Sequence, residues 1–201
     1  TFTKKQDEEY IDNNKYPKKF LFYPAQLWKH KNHITILMAL RKLKSKGLDI
    51  ELILCGEEYS YNLEITKYIK KHEMNNVTYL GKIEFQELRI LYHNAFYVIS
   101  AALYESSSLI IKEAAAAGLP IITSDIEAHI QQTKSLKVNY FEAENVENLS
   151  DLLEYLFFKE DANHRNEKIL YNLKNIKKYN WKIIAKKYNL KIDELTCQKR
   201  T

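Results

Sequence analysis

Two glutamates eight positions apart, Glu105 and Glu113, stand out in this chain for the chemistry that they could do. Glu113 lies in the stretch LIIKEAAAAG, where apolar residues cover nearly every side of a predicted helix. A helix that is apolar all round is typically buried, and a buried carboxylate is costly unless something satisfies it. We therefore expect Glu113 to have a protein partner or to face a ligand.

Three consecutive serines, Ser106, Ser107 and Ser108, lie between Glu105 and this helix. The free N–H groups and the dipole at the start of a helix favour anions. The alternative is a plain serine N-cap. Since only one serine can cap the helix, the two interpretations are compatible, and we expect a phosphate or sugar contact in this run.

A basic loop follows the first predicted strand and contains Lys29, His30, Lys31 and His33. Lysines of this kind could neutralise a phosphate, although most surface lysines are simply solvated. The spacing from the strand end favours Lys31 over Lys29 as an anion contact. His30 and His33 could be a metal pair, but no third ligand is evident.

A second acidic pair, Asp125 and Glu127, follows a later strand and has the Asp-x-Glu spacing of some metal sites. This motif is short and weakly specific. The interpretation that we favour is structural: Ser124 or Asp125 caps a helix whose first turn is acidic. No Gly-x-Gly-x-x-Gly motif follows any strand, which argues against a dinucleotide dehydrogenase.

Composition bounds the class of protein. The net charge of +5 is a mild excess, lower than a dedicated nucleic-acid-binding protein would need. The two cysteines, Cys55 and Cys197, are far apart. They indicate a reduced, cytoplasmic setting, and we expect Cys55 to be inert core.

No apolar run reaches the length of a membrane span, and the start shows no signal peptide. Because the sequence starts at Thr1 without methionine, we expect a fragment of something longer.

Short apolar runs alternate with helical patterns along the chain. This alternation predicts an α/β domain with a Rossmann-like parallel sheet of about six strands and helices on both faces. Such sheets bind ligands beyond the carboxyl ends of their strands. The predicted strands cover residues 19–23, 50–55, 76–81, 96–101, 119–124 and 138–142. The predicted helices cover residues 34–47, about 59–73, 85–93, 109–117 and most of the chain from 146, including an amphipathic helix over 181–195.

The sequence resembles the retaining glycosyltransferases of the GT-B fold, family 4. The segment ESSSLIIKEAAAAGLPII is similar to the E-x7-E segment of that family, and FYPAQLWKHKNHITILMAL is similar to its first strand, basic loop and helix. The resemblance continues through LILCG, NVTYLGKI, ITSDIEAHIQQ and NYFEAENVENLSDLL. It implies that residues 19–197 are the donor-binding half of a GT-B fold, that residues 1–18 are a linker or arm, and that the N-terminal acceptor-binding domain is absent.

The resemblance also implies roles for individual residues. Lys31 matches the lysine that contacts the donor diphosphate, and Glu113 matches the glutamate that binds the ribose hydroxyls. Glu105 matches the glutamate near the sugar, so that Glu105 and Lys31 are the expected catalytic pair. The expected donor-binding backbone comprises Ser106, Ser107, Ser108 and Leu109 beside the sugar and phosphates, and Gly81, Lys82 and Ile83 beside the base.

The chain departs from the family pattern at two places. Gln26 stands where many members have a second diphosphate-binding arginine, and Ser106 and Ser108 stand where many have glycines. Serine hydroxyls could instead donate hydrogen bonds. These departures leave open a non-catalytic nucleotide-binding module. A sugar-nucleotide epimerase of the same fold is a further alternative, which the E-x7-E segment argues against.

The resemblance finally implies the substrate and partners. The expected donor is a nucleotide-diphosphate sugar, transferred to a glycan, lipid-linked or other acceptor without a metal cofactor. The expected partner is the acceptor domain of the same protein, through which peripheral contact with the inner face of the membrane is possible. Nucleic acid is not expected as a partner.

Overall fold

A computed structural model describes residues 16–179, 185–186 and 188–190 and contains one six-stranded parallel sheet. Its strand order is β3-β2-β1-β4-β5-β6, and every neighbouring pair is parallel. The strands are β1 (Phe20–Pro24), β2 (Glu51–Cys55), β3 (Val77–Tyr79), β4 (Tyr97–Ser100), β5 (Ile121–Ser124) and β6 (Asn139–Phe141). The α/β fold expected from the alternating pattern is therefore confirmed.

Helices cover both faces of this sheet. They are α1 (His33–Ser45), α2 (Asn62–Lys71), α3 (Phe85–Asn94), α4 (Leu109–Ala117), α5 (Glu127–Thr133), α6 (Val146–Glu154) and α7 (Ala162–Ile176). Helix α1 packs against α2 and α6, whereas α4 packs against α3 and α7. Because strand–helix–strand crossovers are right-handed, these two groups lie on opposite faces.

The central strands are buried because both faces of the sheet are covered. The side chains of β1 from Phe20 to Tyr23 and all those of β4 are buried. The chain order runs outward from β1 to β3, returns to β4 beside β1, and then runs outward to β6. The order therefore reverses between β1 and β4, which is where parallel sheets of this kind bind their ligands.

Two expectations about local structure were wrong. Helix α4 is not buried all round, since Leu109 is 59% exposed and only the side with Ile110, Ile111, Ala114 and Ala115 is buried. Helix α5 has the expected acidic first turn, with Glu127, but neither Ser124 nor Asp125 caps it, because the N-cap position is Ile126. The hydroxyl of Ser124 donates instead to the Ala102 carbonyl at 2.6 Å.

Two predicted segments fall largely outside the described residues. These are the N-terminal arm over residues 1–18 and the amphipathic helix over residues 181–195. Within the described part of the chain, no helix combines the length and apolar composition that crossing a membrane requires.

Gly56, directly after β2, lies against the chain that leaves β1. Its φ is +147°, and a Cβ built there would be 2.6 Å from the Ala25 oxygen and 2.8 Å from the Gln26 nitrogen. Both contacts are with backbone, which cannot turn aside as a flexible side chain can. Gly56 therefore allows the ends of β1 and β2 to approach each other closely.

We predict that Gly56→Ala lowers the free energy of unfolding by about 3 kcal/mol or more, because it adds a backbone clash to an unfavourable φ. The control is Gly47→Ala, at φ +77° with nothing within 4 Å of the added Cβ. This control should cost only about 1–2 kcal/mol of backbone strain. Urea unfolding measures both, and equal losses would contradict the close approach.

Candidate functional site

A cleft lies at the carboxyl ends of β1 and β4, at the point where the strand order reverses. It has a volume of about 220 Å³. One side comes from the loop after β1 and the other from the loop after β4 and the start of α4. The lining residues are Pro24, Ala25, Gln26, Lys31, Glu105, Ser107, Ser108, Leu109 and Ile110. The structure therefore brings together six residues that the sequence predicted separately: Gln26, Lys31, Glu105, Ser107, Ser108 and Leu109.

The backbone of Lys31 is held by the buried residue Tyr23 of β1. Lys31 ends a short 3-10 turn, Lys29–Lys31, and the Tyr23 hydroxyl donates to the Lys31 carbonyl at 2.7 Å. Burial raises the pKa of Tyr23 far above its ordinary value, so this hydroxyl keeps its proton. The Leu103 N–H donates to the His30 carbonyl at 2.8 Å and joins the loop after β4 to the loop after β1.

The charged groups of the cleft are paired with each other. The Lys31 ammonium contacts the Glu105 carboxylate, and the two side chains are only 17% and 11% exposed. The predicted diphosphate cation and the predicted sugar-side carboxylate therefore satisfy each other in this structure. An anion entering the cleft would have to share or displace Glu105 as the partner of Lys31, since charges this far from water need a counter-charge.

The serine run differs from the expectation in detail. Ser108 is the N-cap of α4, yet its side chain makes no capping hydrogen bond. Its N–H donates to Gln132 Oε1 at 2.9 Å, so this amide is not available to a ligand. Ser106 is exposed and does not line the cleft. The amides at the start of α4 that remain for a ligand begin with that of Leu109, which has no acceptor within the helix.

Glu113 lies one turn further along α4, outside the residues that line the cleft. Its Oε2 accepts a hydrogen bond of 2.8 Å from the hydroxyl of Tyr92 on α3. Tyr92 is buried and packs edge-on against Phe22, with ring centroids 5.3 Å apart. Burial, reinforced by the Glu113 charge, raises the pKa of Tyr92 well above 10.0. The carboxylate thus has a neutral protein partner at one of its two oxygens.

The predicted base-side segment is separate from the cleft. Gly81, Lys82 and Ile83 follow β3 and do not line it. The Gly81 carbonyl accepts from the Gly56 N–H at 2.9 Å, and Lys82 pairs with Glu57 at 2.6 Å. This segment therefore belongs to the same carboxyl edge of the sheet, but beside β2 and not beside β1.

Gln26 is exposed at the mouth of the cleft. Its side-chain oxygen accepts from the indole N–H of Trp28 at 3.0 Å. This contact orients the Gln26 amide, and the side-chain NH2 group is the part that could donate a hydrogen bond to a ligand. A neutral amide here supplies less charge to an anion than an arginine would.

The two histidines of the basic loop have different environments. His33 is fully buried, and neither ring nitrogen has a hydrogen-bond partner among the described residues. Burial is the main reason why the pKa of His33 falls to about 3, and the Lys31 charge acts in the same direction. The ring of His30 stacks on that of Tyr104 with centroids 4.6 Å apart. Within the described ranges, no three His, Cys, Asp or Glu side chains are grouped as metal ligands.

Three residues of the site escaped the sequence analysis: Tyr23, Tyr92 and Gln132. Each acts by a hydrogen bond to a residue at least eight positions away along the chain. In the sequence, the two tyrosines look like ordinary core aromatics and Gln132 like a surface residue. Only the packing of the loops and helices shows which backbone or carboxylate each one holds.

A family model and several known proteins are similar to this chain. The family model described as "Glycosyl transferases group 1" matches residues 5–173. The O-antigen chain mannosyltransferase RfbU of Salmonella typhimurium is 31% identical over 100 residues, which are 49% of this chain and 28% of that protein. The chain therefore matches well under half of this relative's length.

Solved structures share the fold. The structure of Anabaena Alr3699/HepE in complex with UDP and glucose has a TM-score of 0.70 at 16% identity, over 98% of this chain and 52% of that one. The C-terminal domain of a group 1 glycosyl transferase family protein, LpcC from Francisella tularensis, also has a TM-score of 0.70, at 19% identity. That match covers 89% of this chain and 94% of the domain.

The contact between Tyr92 and Glu113 gives a test of how much the fold needs this carboxylate. We predict that Glu113→Gln changes the free energy of unfolding by less than about 1 kcal/mol, because the amide oxygen can still accept from Tyr92. Urea unfolding at neutral pH measures this change. A loss of about 3–5 kcal/mol would show that Glu113 belongs to a buried ion pair and would contradict the neutral partner.

Proposed function

Since the chain belongs to the group 1 glycosyl transferases, we propose that it binds a nucleotide-diphosphate sugar and that the whole protein is a retaining hexosyltransferase. The observation that carries this proposal is the cleft at the strand-order reversal. There Lys31 and the residues at the start of α4 line the same cleft. A diphosphate needs a cation and N–H donors, and this cleft offers both.

The donor would lie along the carboxyl edge of the sheet. Its diphosphate would occupy the cleft between Lys31 and the Leu109 amide, with the sugar beside Glu105. The Oε1 oxygen of Glu113 would accept from the ribose hydroxyls, while Tyr92 donates to Oε2. The base would extend toward Gly81–Ile83, where the peptide backbone offers hydrogen-bonding groups.

The proposed chemistry is departure of the diphosphate from the anomeric carbon through an oxocarbenium-like transition state. Negative charge then grows on the departing phosphate oxygen. Lys31 and the Leu109 amide would stabilise this charge from fixed positions, which is an effective form of transition-state stabilisation. Glu105 is the carboxylate close enough to the same cleft to stabilise positive charge on the sugar. We propose that these groups suffice without a metal cofactor.

The cleft alone is small for such a donor. Its volume of about 220 Å³ is below the roughly 300–1,000 Å³ of typical small-molecule sites. Large apolar side chains on the same edge are exposed, among them Leu63, Tyr104 and Leu109. We propose that an acceptor-binding domain of the same protein closes the cleft from this side.

The acceptor and setting are proposed from the relatives. RfbU is an O-antigen chain mannosyltransferase by name, which supports a role in cell-envelope polysaccharide synthesis. A glycan or lipid-linked acceptor would fit that role. With such an acceptor, the protein would act on the cytoplasmic side, and its acceptor domain would make any contact with the membrane.

A non-catalytic nucleotide-binding module is the second candidate, and Gln26 is the observation that favours it. The amide at this position is neutral, and its oxygen is already used by Trp28. Diphosphate binding would then rely on Lys31 as the cation of the cleft wall. Sugar transfer by the full-length protein would separate the enzyme from the binding module.

We predict that Lys31→Ala weakens binding of a nucleoside diphosphate about 10- to 100-fold, because a charge-assisted contact is lost. Binding of the matching nucleoside should change little, since Lys31 faces the phosphates and not the ribose. The ligand is the one among UDP, GDP and ADP that raises the melting temperature most. Isothermal titration calorimetry gives both affinities.

Lys29→Ala is the matched control, because Lys29 lies in the same short turn but is exposed and does not line the cleft. This variant should bind like the wild type. Equal losses for the diphosphate and the nucleoside in Lys31→Ala would reject the assigned role of Lys31. Equal diphosphate losses in the two variants would instead indicate a general charge effect.

A further inference from the structure

Gln132 of α5 makes two hydrogen bonds with one residue of the cleft wall. Its Oε1 accepts from the Ser108 N–H at 2.9 Å, and its Nε2 donates to the Ser108 carbonyl at 2.7 Å. Gln132 is half-buried and is not itself a wall residue. One side chain therefore fixes the orientation of both peptide planes that flank Ser108.

The geometry of Ser108 determines where the next amide points. Ser108 is extended, with φ −97° and ψ 112°, so that its N–H and carbonyl both face Gln132. In a planar trans peptide the N–H lies opposite the preceding carbonyl. The Leu109 N–H therefore points away from Gln132 and α5. Leu109 itself lines the cleft, together with Ser107 and Ile110.

The Leu109 N–H is also chemically suited to an anion. It is the first amide of α4 and has no acceptor within the helix, and the Ser108 side chain makes no capping bond to this turn. The Ser108 hydroxyl is occupied on the opposite, buried side, 3.3 Å from the Ser100 hydroxyl, which in turn lies 3.4 Å from His129 Nε2. The side chain of Ser108 is thus turned inward, while the Leu109 amide points away from α5.

We propose that Gln132 is a positioning residue for the diphosphate: by holding the Ser108 backbone at both polar groups, it aims the Leu109 N–H at the phosphate opposite Lys31. This inference rests on the proposed function and adds a residue to it. An N–H group that is fixed in direction before the ligand arrives stabilises developing negative charge without first having to reorient. Without Gln132 the Ser107–Ser108 and Ser108–Leu109 peptides could rotate, and the amide would lose its direction.

The test uses inorganic pyrophosphate, which avoids the unidentified base and sugar. Gln132→Met keeps most of the side-chain volume and removes both hydrogen bonds to the Ser108 backbone, together with the longer one from Nε2 to the Ser107 hydroxyl at 3.5 Å. The control is Gln131→Met on the same helix, since Gln131 is exposed and contacts only Glu127 among the hydrogen bonds of the described residues. Nitrogen–proton correlation NMR of the whole chain gives the pyrophosphate affinity and the response of the Leu109 amide together.

In the wild type we expect pyrophosphate to shift the Leu109 amide resonance strongly. In Gln132→Met the dissociation constant should rise about tenfold and the Leu109 shift should largely vanish. Gln131→Met should behave like the wild type. A purely structural role would lower the unfolding midpoint in urea but leave the Leu109 response to bound pyrophosphate intact.

Two results would overturn the inference and spare the proposed function. One is Gln132→Met binding pyrophosphate as tightly as the wild type while Lys31→Ala does not. The other is that pyrophosphate binds the wild type and not Lys31→Ala, but does not shift the Leu109 amide resonance. This second result can be obtained even if the Gln132 variant does not fold. If the wild type does not bind pyrophosphate at all, the diphosphate site and this inference fail together.

Discussion

The ion pair between Lys31 and Glu105 is the interaction on which the rest of the site depends. Both side chains are largely removed from water, and each makes the burial of the other tolerable because a lone charge there would be costly. The pair joins the loop after β1 to the loop after β4, across the reversal of the strand order. It also keeps the Lys31 ammonium in the cleft, where an anion that contacts Lys31 has to share it with Glu105 or displace that carboxylate.

This pair exists because the sheet brings two distant segments together. Lys31 and Glu105 are 74 positions apart, and they meet because β1 and β4 are neighbouring parallel strands whose chains leave in the same direction. Backbone contacts then fix the loops: Tyr23 holds Lys31, and Leu103 binds the His30 carbonyl. Two neighbouring helices also hold α4. Tyr92 of α3 donates to Glu113 within α4, and Gln132 of α5 accepts from the Ser108 amide at its start.

Much of this arrangement could be predicted from the sequence, because continuous apolar strands and alternating helices specify a covered parallel sheet. The motif spacing also predicted that Lys31, Glu105 and the start of α4 share one edge. The loss of the Ser108 amide to Gln132 could not be predicted, since α5 is only seven residues long and shows no clear periodicity. The same holds for the Glu113 partner, because a tyrosine beside a leucine on the buried side of a helix looks like core. Sequence patterns indicate which residues share an edge of the sheet, whereas hydrogen bonds between distant side chains decide which groups remain for a ligand.

The most direct test of the central claim is a crystal structure of this chain with a bound nucleoside diphosphate, chosen by thermal shift from UDP, GDP and ADP. The account predicts that the diphosphate lies in the cleft, with a phosphate oxygen within about 3 Å of the Lys31 ammonium and of the Leu109 nitrogen. The ribose should reach the Oε1 oxygen of Glu113, which Tyr92 does not contact. A diphosphate bound elsewhere on the chain, with the ion pair between Lys31 and Glu105 undisturbed and its cleft empty, would contradict the account.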